Sequence, residues 1–192
     1  LLYRNSLNIK NTINSSLDLY KMESGTYELD AQDYDLAVIL GRVTKTLAKI
    51  AELRGITQRI LLNGSPLPEG GNLSFRGSPL QIENMFTNIV KNAIEASPAG
   101  RVVTIAIRTG SGTEIDVHNQ GVIPIEIRDR FFQKYVTFNK ENGLGLGAYS
   151  ARIIARAHGG DISFTTDQEE GTHLLVRLPD KAPSREQTSG TP

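Results

Sequence analysis

The chain has 192 residues, 39% hydrophobic and 22% charged, with 21 Lys+Arg balanced by 21 Asp+Glu and no Cys. That length holds one domain and an appendage. The neutral balance argues against nucleic acid or an anionic membrane as the main partner, and the lack of Cys excludes disulfides, thiolate metal sites and cysteine nucleophiles. The histidines, His118, His158 and His173, are too scattered in sequence to suggest a metal centre. No apolar run approaches the ~18 residues of a membrane span and no signal peptide is visible, so a cytoplasmic location is expected, whether or not the parent chain is membrane-anchored. The chain starts at Leu1 inside a periodic segment and is expected to be a piece of a longer protein.

From Leu2 to Met22, the apolar residues Leu2, Ile9, Ile13, Leu17 and Tyr20 fall near helical spacing. One long amphipathic helix is expected, stopping before Ser24-Gly25. Such a helix needs something to bury its stripe, and a partner helix is expected, from another part of the chain or another subunit. Thr26 to Leu29 reads as a short strand. Asp35 opens a second helix whose apolar positions run from Leu36 to Leu53. Ile56 to Leu62 and Asn72 to Phe75 read as strands with turns between them. Ser78-Pro79 starts a third helix, which runs to about Ala96. Val102 to Arg108 and Thr113 to His118 form a hairpin, and after Gly121 comes a polar stretch with short helical pieces. A fourth helix follows Gly147 and ends at His158-Gly159-Gly160. Asp161 to Thr166 and His173 to Leu178 form the last strand pair. Helices interleaved with paired strands predict a two-layer α/β sandwich, with a mixed sheet and helices on one face. The expected divisions are a helical segment over 1–24, the main domain over 26–179 and a flexible tail over 180–192.

The third helix carries the first chemical signal. With Asn88 at 0° and about 100° per residue, Ile82, Met85, Phe86, Ile89 and Ala93 lie between roughly 60° and 160°, and Asn84, Asn88 and Asn92 lie within about 40° of zero. Two readings of this Asn row are open. It bonds nearby loops, or its carbonyl oxygens ligate a hard cation such as Mg²⁺, which takes oxygen ligands and few from protein. The second signal is Gly143-Leu144-Gly145-Leu146-Gly147, directly before a helix. Alternate glycines let backbone approach a phosphate chain, and the helix N-terminus favours anions. Lys134 and Lys140 upstream could neutralise phosphate. The string is neither a Walker A loop nor a dinucleotide fingerprint. The third is Asn119-Gln120-Gly121-Val122-Ile123-Pro124 at a strand end. Strand alternation puts Ile115, Val117 and Asn119 on the core face, with Asp116 and His118 pointing away.

Together these segments resemble the ATP-binding catalytic domain of bacterial sensor histidine kinases, within the GHKL (Bergerat-fold) superfamily. Asn88-Ile-Val-Lys-Asn92-Ala resembles the N box. Asn119-Gln-Gly121-Val-Ile-Pro124 resembles a shortened G1 box, Phe131-Phe132-Gln-Lys134-Tyr135 the F box, Gly143-Leu-Gly145-Leu-Gly147 the G2 box, and Gly171-Thr172 the terminal Gly-Thr. Ser16 to Gly25 is similar to the end of the second helix of the dimerisation and phosphotransfer hairpin.

The resemblance implies a Bergerat fold, ATP and Mg²⁺ as cofactors, and transfer of the γ-phosphoryl group to a histidine. By position, Asn92 matches the Mg²⁺ ligand, and Asn88, with Asn84 in the same row, faces the phosphates. Lys134 matches a phosphate-contacting cation. Lys140 falls in the lid, Gly143, Gly145, Leu146 and Gly147 in the phosphate-facing hinge, and Thr172 near adenine. The implied partners are a phosphoacceptor histidine helix of the parent chain or dimer mate, a downstream response regulator, and a second copy joined through the N-terminal helix.

Three departures stand out. The family's G1 aspartate, which receives the adenine amine, is Asn119 here, an acceptor without charge assistance. The second G1 glycine is missing. Glu95 takes a position that is often basic, and is expected to turn away from phosphate or meet a cation. No histidine precedes His118, so the phosphoacceptor is not in this sequence. Two other readings remain: a GHKL ATPase, against which stands Asn88 where those relatives carry Glu, and a non-catalytic dimerisation scaffold with weak nucleotide binding.

Overall fold

The computed structural model describes residues 16–68, 73–110, 112–138 and 144–179. In chain order these form helix α1 (16–23), strand β1 (Gln32–Asp35), helix α2 (Leu36–Leu53), strands β2 (Thr57–Leu62), β3 (Ser65–Pro66) and β4 (Ser74–Gly77), and helix α3 (Pro79–Ala96). Strands β5 (Val102–Gly110) and β6 (Gly112–Asn119), helices α4 (Ile125–Arg128) and α5 (Gly147–Ala157), and strands β7 (Asp161–Asp167) and β8 (Gly171–Leu178) follow.

Alternation along the strands builds the core. Val103, Ile105 and Ile107 on β5, Ile115 and Val117 on β6, and Leu174, Val176 and Leu178 on β8 are buried, while the residues between them are partly or fully exposed. The buried face is covered by α2, α3 and α5, with α3 contributing Ile82, Met85, Phe86, Ile89, Val90, Ala93 and Ile94. Burying each of the larger side chains stabilises by about 1.5–3 kcal/mol. The six strands run in the order β3-β2-β5-β6-β8-β7, with β2 and β5 parallel and every other neighbouring pair antiparallel. The expected two-layer sandwich with a mixed sheet and helices on one face is the observed architecture.

Two strand expectations are corrected. Residues 26–31 are irregular, and the strand lies later, at β1. A strand needs a partner to complete its ladder. β1 finds one in β4, pairing Tyr34 with Phe75, whose rings meet edge-on at 5.8 Å. β4 therefore leaves the main sheet for this two-stranded one, and β2 takes β5 and the short β3 as its neighbours instead. Asp35 then caps α2, its Oδ1 accepting from Ala37 N at 2.9 Å and from Leu73 N at 3.0 Å, a cap worth about 1 kcal/mol.

The start of α3 is capped from a distance. Ser78 supplies no side-chain cap. Its backbone N–H donates to His158 Nε2 at 3.0 Å, and His158 Nδ1 lies 2.8 Å from the Ile154 carbonyl. A carbonyl only accepts, so Nδ1 carries the proton and the ring is neutral with Nε2 as acceptor. His158 is 0% exposed, and burial pushes its pKa below the ordinary 6.5.

The described end of α1 docks on the domain through a face that the apolar stripe does not include. Asp18 Oδ2 accepts from Gln81 Nε2 at 2.9 Å, and Met22 packs against the core. Leu17 and Tyr20 of the stripe are 53% and 68% exposed. The earlier part of the expected Leu2–Met22 helix, and the tail over 180–192, lie outside the described residues. Among the described residues no helix is long and apolar enough to cross a membrane.

Candidate nucleotide site

The Asn row of α3 meets the start of α5. Asn88 Nδ2 donates to Ser150 Oγ at 3.1 Å, and Ser150 Oγ donates to the Gly147 carbonyl at 3.1 Å. A Cβ placed on Gly147 would lie 3.5 Å from Asn92 Nδ2 and 3.9 Å from Asn88 Oδ1. Asn88 and Asn92 thus stand against the first turn of α5. Leu146, the residue before that turn, offers no side-chain cap, which leaves α5 with an N-terminus suited to an anion. Asn84 lies further along the row, where with Asn88, Gln81, Leu19 and Met22 it lines a cleft of about 230 Å³ beneath α1. Glu95 meets a cation as expected, 3.8 Å from Lys91 Nζ.

At the end of β6 the register read from alternation holds. Asn119 is 2% exposed, while Asp116 lies on the opposite face, where its Oδ2 takes His173 Nδ1 at 2.8 Å. His118 stacks on His173 there, with ring centroids 4.2 Å apart. On the core side, Asn119 Nδ2 donates to the Gly121 carbonyl at 3.3 Å, and Thr172 Oγ1 donates to the same oxygen at 2.7 Å. With the Thr172 proton committed there, the Thr166 hydroxyl donates to Thr172 Oγ1 at 2.8 Å and accepts from Ile123 N at 3.1 Å. This single-direction chain brings Asn119, Gly121 and Thr172 together. Gly121 is required by close approach: a Cβ would lie 2.1 Å from the Ala96 carbonyl at the end of α3.

The F-box segment packs Phe131 and Phe132 around Phe164, and Arg152 lies 4.8 Å over the Phe132 ring. Next to them, Lys134 Nζ is 2.7 Å from Glu23 Oε2 of α1 and 5.2 Å from the Tyr149 ring centroid. The Tyr149 hydroxyl shares the same carboxylate. The Lys134 hydrogen bond holds the Glu23 carboxyl below its ordinary pKa, and Glu23 in turn holds Lys134 above its own. Lys134 is therefore engaged by a carboxylate. Gly145, at φ +66°, accepts from Tyr135 N at 2.9 Å, and a Cβ there would come 2.5 Å from the Tyr135 carbonyl carbon. Lys140 and Gly143 lie outside the described residues.

Sequence reasoning missed Glu23, Tyr149, Ser150, Thr166 and His158. The Glu-Ser-Gly stretch was legible as a helix stop and as the end of the hairpin resemblance, with no sign of the Lys134 contact, and the others act through contacts between distant segments.

A sheet covered on one face by helices, with two asparagines of one helix against the glycine-led start of another and a buried amide at the neighbouring strand end, makes an α/β sandwich with a candidate nucleotide site. The family model of histidine kinase-, DNA gyrase B- and HSP90-like ATPases matches residues 77–182, more than half of the chain, and the chain belongs to that family. Several of the relatives it matches are named as sensor or signal-transduction histidine kinases. It is 25% identical over 191 residues to an uncharacterised sensor-like histidine kinase of Rhizobium meliloti (strain 1021), covering 95% of this chain and 35% of the relative. It is 27% identical over 186 residues to the signal transduction histidine-protein kinase BarA of Escherichia coli (strain K12), covering 91% of this chain and 20% of BarA. The chain thus spans about a third or less of these relatives. In fold it is similar to the Acinetobacter baumannii histidine kinase AdeS, with a TM-score of 0.70 at 18% identity, covering 93% of this chain and 84% of that one.

Proposed function

We propose that this chain is the ATP-binding kinase unit of a two-component sensor histidine kinase, passing the γ-phosphoryl group of ATP to a histidine that this sequence does not carry. The observation that supports it most is the meeting of Asn88 and Asn92 with the uncapped first turn of α5 at Gly147. In this reading residues 1–24 belong to the phosphotransfer hairpin, 26–179 form the catalytic domain and 180–192 a tail. The exposed Leu17 and Tyr20 face a second copy of the helix, and a response regulator acts downstream.

The donors suit Mg²⁺. The side-chain carbonyl oxygens of Asn88 and Asn92 are hard donors of the kind a cation takes when phosphates and waters supply its other ligands. Asn92 would hold Mg²⁺, with Asn88 and Asn84 along the same row, and the bound ion would offset charge on the phosphates. Asn119 accepts from the adenine amine, oriented by Gly121 and backed by Thr172. The backbone of Gly143, Gly145, Leu146 and Gly147 and the α5 dipole receive the phosphates, and Lys134 and Lys140 neutralise them. Such catalysis is mainly positioning and charge stabilisation.

None of the three histidines suits the acceptor role. His158 is fully buried, and His118 and His173 lie on the face of the sheet opposite Asn119. Incubation with γ-labelled ATP should leave the chain unlabelled. Adding the parent's phosphotransfer hairpin, with its own kinase domain disabled, should give an acid-labile phosphohistidine on that hairpin. Label on His118, His158 or His173 would overturn the acceptor argument, and nucleotide binding without transfer would favour a scaffold.

A further inference from the structure

Lys134 joins two parts of the molecule that sequence separates by 111 positions. Its ammonium reaches Glu23 in the last turn of α1 and lies over Tyr149, in the first turn of α5 two residues beyond Gly147. The same stretch of α1 is held on α3 by Asp18 and Gln81, and Met22 packs against the core. The lysine assigned to phosphate is therefore occupied by a carboxylate, beside the helix start that Asn88 and Asn92 face. Carboxylate and phosphate are interchangeable partners for one ammonium, since both offer anionic oxygens to short charge-assisted bonds. The side chains of Lys134 and Glu23 are 39% and 23% exposed, a setting in which an ion pair contributes little. A triphosphate brings several negative charges to the same place, so exchange of Lys134 from Glu23 to phosphate is favourable.

We propose that Glu23 is a latch: through Lys134 it tightens the end of α1 onto the catalytic unit, and the phosphates of bound nucleotide loosen that end by taking the lysine, while Asp18 and Met22 keep the helix in place. The proposal rests on the nucleotide reading above and adds a coupling to it. By linkage, whatever holds α1 docked weakens phosphate binding by the same factor that bound phosphate loosens α1. Movement of the hairpin helix and occupancy of the site are thereby tied through one side chain.

The absence of cysteine allows clean labelling of the whole chain. Spin labels on Lys21→Cys and Leu53→Cys, both exposed, in chain diluted with unlabelled chain so that only distances within one copy are read, report the distance from α1 to the domain by electron double resonance. Without nucleotide, wild type should give one narrow distance and Glu23→Gln a measurably broader one. Saturating Mg·ATP should broaden the wild-type distribution, and adenosine should not. Glu23→Gln should bind Mg·ATP about threefold to fivefold more tightly, the scale of a partly exposed ion pair, with adenosine affinity unchanged. A purely structural ion pair would shift both ligands alike. Wild type that binds Mg·ATP with no change in the distance, or Glu23→Gln with unchanged or weaker Mg·ATP affinity, overturns the latch alone. No binding of Mg·ATP to either protein overturns the nucleotide reading and the latch with it.

Discussion

Acidification below pH 6.5 should weaken the fold through His158, because the ring must be neutral to accept from Ser78 and no solvent reaches it. An unfolded imidazole titrates near 6.5, and burial depresses the folded value. The unfolded chain therefore binds a proton that the folded chain refuses. The His158 contribution is complete above pH 6.5 and is lost as pH falls towards the folded value, at about 1.4 kcal/mol per pH unit. Replacing the ring by His158→Leu removes this dependence. It also leaves the Ser78 N–H without its acceptor at the start of α3, at a cost of about 1–3 kcal/mol at neutral pH. Urea unfolding of wild type and variant at pH 8, 6.5 and 5.5 measures both effects, and His118 and His173 are common to the two proteins and cancel in the difference. The stability gap should be widest at pH 8 and should narrow by about 1.4 kcal/mol per unit once the pH is well below 6.5. A gap that stays constant from pH 8 to 5.5 would refute the neutral-acceptor role.

Three further outcomes are expected. Asn119→Asp turns an oxygen towards the Gly121 carbonyl, now 3.3 Å from Nδ2, in a site 2% exposed. It should lower stability without nucleotide by about 1–3 kcal/mol, while a charge-assisted bond to the adenine amine should strengthen ATP binding by roughly 1 kcal/mol; thermal melts with and without ATP read both, and an unchanged melting temperature without ATP would contradict the geometry. Gly121→Ala drives a Cβ against the Ala96 carbonyl and should cost about 1–3 kcal/mol, with weaker nucleotide binding in the same titration. Asn92→Ala should reduce Mg²⁺-dependent ATP binding about tenfold and leave stability within about 1 kcal/mol; equal affinities by calorimetry in Mg²⁺ would remove Asn92 from the metal site.

What sequence alone determined here rests on local periodicity. A period of two along β6 is enough to turn Asn119 inward and Asp116 outward, because successive side chains of a strand must take opposite faces. A period near 3.6 is enough to set Asn84, Asn88 and Asn92 beside the buried stripe of α3. The order of the boxes made the fold legible as well, since each lies at the end of an element that pattern already marks. The rest needed packing. Nothing local distinguishes Thr26–Leu29 from Gln32–Asp35 as a strand until β4 arrives to pair with one of them. The caps and couplings join residues far apart: His158 to Ser78 across 80 positions, Asn88 to Ser150 across 62, and Lys134 to Glu23 across 111. Local pattern states which face of an element is apolar, and leaves open which neighbour the polar face meets. Here that was decided by how α3 and α5 pack over one face of the sheet and how α1 docks on α3, which set Glu23 beside the lysine assigned to phosphate.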